Sequence, residues 1–116
     1  MNQEIMLLVL ALIQVESKGQ DDAVGDNGKA YGCLQIHEDY VKDVSEESGI
    51  PYAHEEAFNR AMAIDMFEIY MQRYATKYHL GREPTLEDMA RIHNGGPNGW
   101  KKESTKPYWE KVKKLL

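Results

Sequence analysis

The stretch Ile5-Met6-Leu7-Leu8-Val9-Leu10-Ala11-Leu12-Ile13-Gln14-Val15-Glu16-Ser17 decides the architecture. An unbroken apolar run without glycine or proline predicts a helix from about Asn2 to Ser17. Its apolar residues continue all the way round, which predicts a helix enclosed by others and central to a mainly helical fold. The run is too short to cross a bilayer as a helix. Asn2-Gln3-Glu4 ahead of it is unlike the basic start of a secretory leader, and no small-x-small cleavage motif follows before Glu16. The helix delivers one carboxylate, Glu16, to the edge of an apolar environment. Burial there would disfavour the charged form and tune Glu16 for protonating a leaving group; a partly exposed glutamate at a helix end is the alternative reading.

Outward from that helix, Lys18 to Leu34 holds Gly19, Asp21, Asp22, Gly25, Asp26, Asn27, Gly28 and Gly32, too many turn formers for a continuing helix. Asn27-Gly28 suits a tight hairpin, so a small loop and β-ribbon insertion is expected around residues 18–35. A short helix should follow from His37 to Glu47, closed by Gly49 and Pro51. The longest helix is expected from about His54 to Tyr78. Its inward stripe would be Ala57, Phe58, Ala61, Met62, Ile64, Phe67, Met71 and Tyr74. Thr85, Glu87 and Asp88 mark the start of a short helix from Leu86 to about Ile92, which runs into a His93–Trp100 loop. The last helix begins near Thr105 to Pro107.

The chain has 116 residues, enough for one domain burying roughly two thirds of its unfolded surface. With the single cysteine Cys33 it forms no internal disulfide. The formal charge is −5, but Pro97–Leu116 carries six lysines against Glu103 and Glu110, a local +4 that leaves −9 on residues 1–96. An acidic body argues against nucleic-acid binding. The lysine-rich segment is a solvated helix face or a surface for an anionic wall polymer.

Asp26 follows Glu16 by ten residues, on a loop that folds back over the helix end. Two carboxylates facing a cleft are the equipment of glycoside hydrolysis, although Asp26-Asn27-Gly28 also reads as a plain turn. His37, His54, His79 and His93 show no metal-ligand spacing among themselves or with Cys33. Asp22 and Asp26 lack the alternation of a calcium loop. No serine sits on a nucleophile elbow, and Gly95-Gly96-Pro97 lacks the ending of a phosphate loop. The field narrows to acid/base chemistry without a metal or cofactor.

Gln14-Val15-Glu16-Ser17, Ala23-Val24-Gly25-Asp26-Asn27-Gly28 and Ala30-Tyr31-Gly32-Cys33-Leu34-Gln35-Ile36 resemble the catalytic core of goose-type lysozymes and soluble lytic transglycosylases. Ala90-Arg91-Ile92-His93-Asn94-Gly95-Gly96 and Tyr108 continue the resemblance, which spans Leu8 to Val112. It implies a single lysozyme-like domain over residues 1–116, acting on the β-1,4 bond between N-acetylmuramic acid and N-acetylglucosamine of peptidoglycan. Glu16 matches the catalytic acid, and Ser17 the neighbour that helps form the sugar site. Gly32 and Gln35 match the Gly-x-x-Gln segment lining the cleft, Gly32 for close approach and Gln35 for amide hydrogen bonds. Asn94 matches a sugar contact, and Tyr108 a tyrosine that orients the acid.

In a hydrolase of this kind Asp26 would position the attacking water across a gap of roughly 6.5–9.5 Å. In a transglycosylase Glu16 acts alone, and the substrate's own 6-hydroxyl closes a 1,6-anhydro ring. His37 stands where the goose-type enzymes have a second aspartate, and either relays a proton or caps the helix beginning there. His93 replaces the family tyrosine, and Cys33 a bulkier residue. A lysozyme-like peptidoglycan- or chitin-binding protein without turnover is the alternative of another class. The protein is expected to act at the bacterial wall as a monomer, by an export route the sequence does not specify, as for a phage-type lysin.

Overall fold

The computed structural model describes all residues, Met1–Leu116. It contains six α-helices: α1 (Gln3–Ser17), α2 (Glu38–Ser48), α3 (Arg60–Tyr74), α4 (Lys77–Leu80), α5 (Leu86–Gly95) and α6 (Lys106–Lys113). A two-stranded antiparallel ribbon, β1 (Val24–Gly25) and β2 (Ala30–Tyr31), and 3-10 turns at His54–Phe58, Gly99–Lys101 and Glu103–Thr105 complete the regular structure. The fold is mainly helical with a small ribbon between α1 and α2, as expected. Two compact units are distinguished, one formed by Ile13–Tyr70 and the other by Met1–Leu12 with Met71–Leu116.

Helix α1 starts at Asn2, whose side-chain oxygen accepts from the Ile5 amide at 2.8 Å. Leu8, Val9, Ala11, Leu12 and Ile13 are buried, but Leu7 and Leu10 are each about half exposed and Met6 is exposed as well. The expectation of an enclosed helix is therefore corrected. Gln3, Leu7, Leu10 and Gln14 recur at three- and four-residue steps and share one open face. The flanking glutamines mark that face as polar in position even though leucines occupy its middle.

In the Ile13–Tyr70 unit the chain leaves α1 through Lys18 and Gly19, both with positive φ. The ribbon pairs Val24 with Tyr31 and Gly25 with Ala30, and its tip places Asp26, Asn27 and Gly28 in the left-handed region. Arg60 ties the preceding loop down, donating to Asp21 Oδ1 at 2.8 Å and to the Gly19 carbonyl at 2.5 Å. Helix α2 buries Tyr40, Val41 and Val44 and stops at Gly49, whose left-handed backbone lets its amide reach the Ser45 carbonyl.

The single long helix expected from His54 to Tyr78 is instead divided. Asn59 is extended, and its Oδ1 accepts from the Met62 amide at 3.0 Å, so α3 begins afresh after the 3-10 turn. The buried stripe of α3 is Ala63, Met66, Phe67, Tyr70 and Met71, while Ala61, expected inside, is exposed. The new start resets the helical phase, so an inward stripe extrapolated from Ala57 falls out of register.

In the other unit Thr76 caps α4, its hydroxyl accepting from the His79 amide, and Gly81 ends it. Thr85 and Asp88 form a reciprocal capping box at the start of α5. Helix α5 continues to Gly95, so His93 and Asn94 are helical rather than in a loop. Arg91 is buried and donates to Thr105 Oγ1, Glu87 and the Lys102 carbonyl, which fixes the 99–105 turns on α5. Pro107 lies in the first turn of α6, where its missing N–H costs nothing.

Candidate active site

Glu16 lies in the last turn of α1, half-buried. In the same unit the rings of Tyr40 and Tyr70 stack with centroids 3.7 Å apart. Burial, the Tyr70 phenol and the Glu16 carboxylate together push the Tyr40 phenol well above its usual range. A phenol that stays neutral thus stands within electrostatic reach of the Glu16 carboxylate. Sequence reasoning missed Tyr40 because its place on the apolar face of α2 reads only as packing.

Ser17, Gly32 and Gln35 are brought together next to it. The Ser17 hydroxyl donates to the Cys33 carbonyl at 2.8 Å, with the Ile13 carbonyl of its own helix at 3.1 Å. The end of α1 is thereby fastened to the segment after the ribbon. Gly32 has φ +82, and a Cβ there would lie 2.0 Å from the Ala57 carbonyl oxygen. The close approach that requires glycine is thus made by the 3-10 turn.

Gln35 is held at φ +52, unusual for a residue with a side chain. Its Nε2 faces three carbonyls in and beside the ribbon, Gly32 at 3.0 Å, Ala23 at 3.3 Å and Ala30 at 3.5 Å. The amide nitrogen expected to meet a sugar is engaged within the protein, and the side-chain oxygen packs over Gly25.

Asp26 sits at the ribbon tip with its Oδ2 3.1 Å from His37 Nε2. Beside this pair an open cavity of about 350 Å³ is lined by Lys29, Tyr31, His37, Glu38, Asp39 and His54. The His54 ring lies flat on Tyr31, 3.7 Å between centroids, and its Nε2 bonds the Ile36 carbonyl at 2.7 Å. His37 makes no side-chain cap on α2, so capping does not account for it.

Asn94 and Tyr108 belong to the other unit, Asn94 exposed on the last turn of α5 and Tyr108 half-buried on α6. Cys33 is fully buried, and burial raises its thiol pKa, Arg60 opposing and Asp21 adding to the shift. No group of three or more His, Cys, Asp or Glu side chains could hold a metal ion. No helix is long and apolar enough to cross a membrane.

The Destabilase family model matches residues 8–115. The chain belongs to the Destabilase family. It is 38% identical over 85 residues to a lysozyme of Magallana gigas, a match covering 72% of this chain and 59% of that protein's length. Two solved structures share the fold of this Destabilase-family chain. One is the crystal structure of Aeromonas hydrophila PliI in complex with Meretrix lusoria lysozyme, with TM-score 0.77, 32% identity, and coverage of 93% of this chain and 87% of the matched one. The other is Tapes japonica lysozyme, with TM-score 0.77, 30% identity and the same coverages.

The lysozyme-like fold is thus shown, and the family within it is Destabilase, the invertebrate-type lysozymes. All seven candidate residues, Glu16, Ser17, Asp26, Gly32, Gln35, Asn94 and Tyr108, fall inside the segment matched by the Destabilase model.

Proposed function

We propose that this Destabilase-family protein is a peptidoglycan-cleaving glycosidase, a single catalytic domain acting on the β-1,4 bond between N-acetylmuramic acid and N-acetylglucosamine. The carrying observation is the arrangement within Ile13–Tyr70, where a half-buried Glu16 lies in the last turn of α1, that helix end is fastened to the segment after the ribbon, and the ribbon tip holds Asp26. Likeness to solved lysozymes at 30% identity and above supports the substrate class.

In this reading Glu16 gives its proton to the glycosidic oxygen as the bond from C1 breaks. Asp26 positions a water that attacks C1 and accepts that water's proton. Ser17, Gly32 and Gln35 shape the wall beneath Glu16. The protein works at the bacterial cell wall, with glycan strands as its partner.

Turbidity clearance of purified peptidoglycan tests this. Glu16→Gln removes at least ~99% of activity, the scale expected for losing a general acid. Equal clearance by both proteins, or binding without clearance by either, overturns the catalytic reading in favour of a wall-binding protein. Mass spectrometry of the fragments decides the chemistry: free reducing ends are expected, and 1,6-anhydro ends would make Glu16 the sole acid/base of a transglycosylase.

A further inference from the structure

Helix α2 begins with an N-cap residue that does not cap. His37 has the extended backbone of an N-cap, φ −89 and ψ 161, yet its side chain makes no bond to the first turn. A serine, threonine, aspartate or asparagine there would accept from the first turn and stabilise the helix. The imidazole instead crosses to the ribbon tip, where its Nε2 lies 3.1 Å from Asp26 Oδ2. His37 is the one hydrogen-bonding or ionic partner of the Asp26 carboxylate.

Stability does not explain that choice. The His37 and Asp26 side chains are 46% and 59% exposed, and ion pairs so open to water contribute little to folding. What the contact does is restrict a carboxylate that otherwise rotates freely at the end of a left-handed turn, Asp26 φ 49 and Asn27 φ 56. The other histidine lining the cavity is committed elsewhere, its ring stacked on Tyr31 and its Nε2 on the Ile36 carbonyl.

We propose that His37 is a positioning residue for Asp26: its Nε2–H holds Oδ2 and leaves Oδ1 to accept from the attacking water. This rests on the reading of Asp26 as the water-positioning carboxylate. The contribution lies in the transition state, because an unrestrained carboxylate binds no less substrate but presents its oxygen to water less often.

The test measures kcat and KM on soluble glycan fragments for wild type, Glu16→Gln, Asp26→Asn, His37→Leu, His37→Gln and Asp26→Asn/His37→Leu. Thermal melts accompany each to confirm folding. His37→Leu is expected to lower kcat about tenfold with KM little changed. His37→Gln, whose amide N–H replaces Nε2–H, restores most of that loss. In the Asp26→Asn background His37→Leu has no further effect. A slow Asp26→Asn beside an unimpaired His37→Leu overturns the inference while leaving the role of Asp26 intact. Losses that add independently overturn it too. Full activity in Asp26→Asn with an inactive Glu16→Gln overturns the role of Asp26 itself, and the inference with it.

Discussion

The Gln35 side-chain oxygen fills the space that a side chain on Gly25 would need: a Cβ at position 25 would lie 2.1 Å from it. The ribbon and the segment behind it are therefore built around one amide, whose nitrogen faces Gly32, Ala23 and Ala30 carbonyls and whose oxygen covers Gly25.

Removing that amide should loosen the strand that carries Asp26. Gln35→Ala is expected to cost about 1–2 kcal/mol, the worth of its hydrogen bonds to part-buried carbonyls, and to lower turnover. Gly25→Ala, which pushes the amide aside, should act in the same direction. The double variant should lose less than the two single losses together. Urea midpoints and amide exchange at Tyr31 and Gly32 check this, and strictly additive losses would show that the two residues act separately.

Asp88 makes stability depend on acid. It is buried on α5 and takes two hydrogen bonds from Arg82, at 2.6 and 2.9 Å, and others from Thr85. Burial works to raise its pKa, but the Arg82 and Thr85 hydrogen bonds outweigh it and hold the carboxyl below its usual value. The unfolded chain therefore binds the proton more readily. Asp88 contributes fully above the ordinary aspartate range near ~3.9, and that contribution is lost as pH falls through the lower, folded value. Melting temperatures from pH 7 downward should fall more steeply for wild type than for Asp88→Asn, which starts lower by about 1–2 kcal/mol from the weakened cap.

Tyr40 does the same at the alkaline end. Its phenol is raised well above the usual tyrosine range by burial, Tyr70 and Glu16. The stability that goes with a neutral Tyr40 is complete below the unfolded value near ~10, and declines as pH rises from there toward the folded value. Ultraviolet titration should show one tyrosine that ionises only as the protein unfolds. Tyr40→Phe should remove that component and flatten the alkaline loss, and an unchanged titration would rule out this role.

Much of the fold was legible because its punctuation is local. Asn2 and Thr85 cap helices through bonds reaching three residues ahead, Asp88 answers Thr85 through one reaching three back, and Gly49 ends α2 through one reaching four back. The split of the 54–78 segment had the same kind of signal in Asn59 and Thr76, whose side chains cap α3 and α4. There the apolar periodicity masked two polar residues capable of starting new helices.

Among the candidate site residues, local chemistry pointed to Glu16, a carboxylate after an apolar helix, and to Asp26 on the loop that follows it, whereas Ser17, Gly32 and Gln35 came only from the resemblance to goose-type lysozymes and lytic transglycosylases. Their partners lie sixteen residues or more away in two cases: Ser17 bonds the Cys33 carbonyl, and Gly32 yields to the Ala57 carbonyl. That Gln35 turns its nitrogen inward, that Tyr40 answers to Glu16, and that His37 leaves its own helix for Asp26 depend on where the chain returns. Side-chain propensities act over one helical turn, whereas those pairings arise only when burial has set the ribbon, α2 and the end of α1 in place.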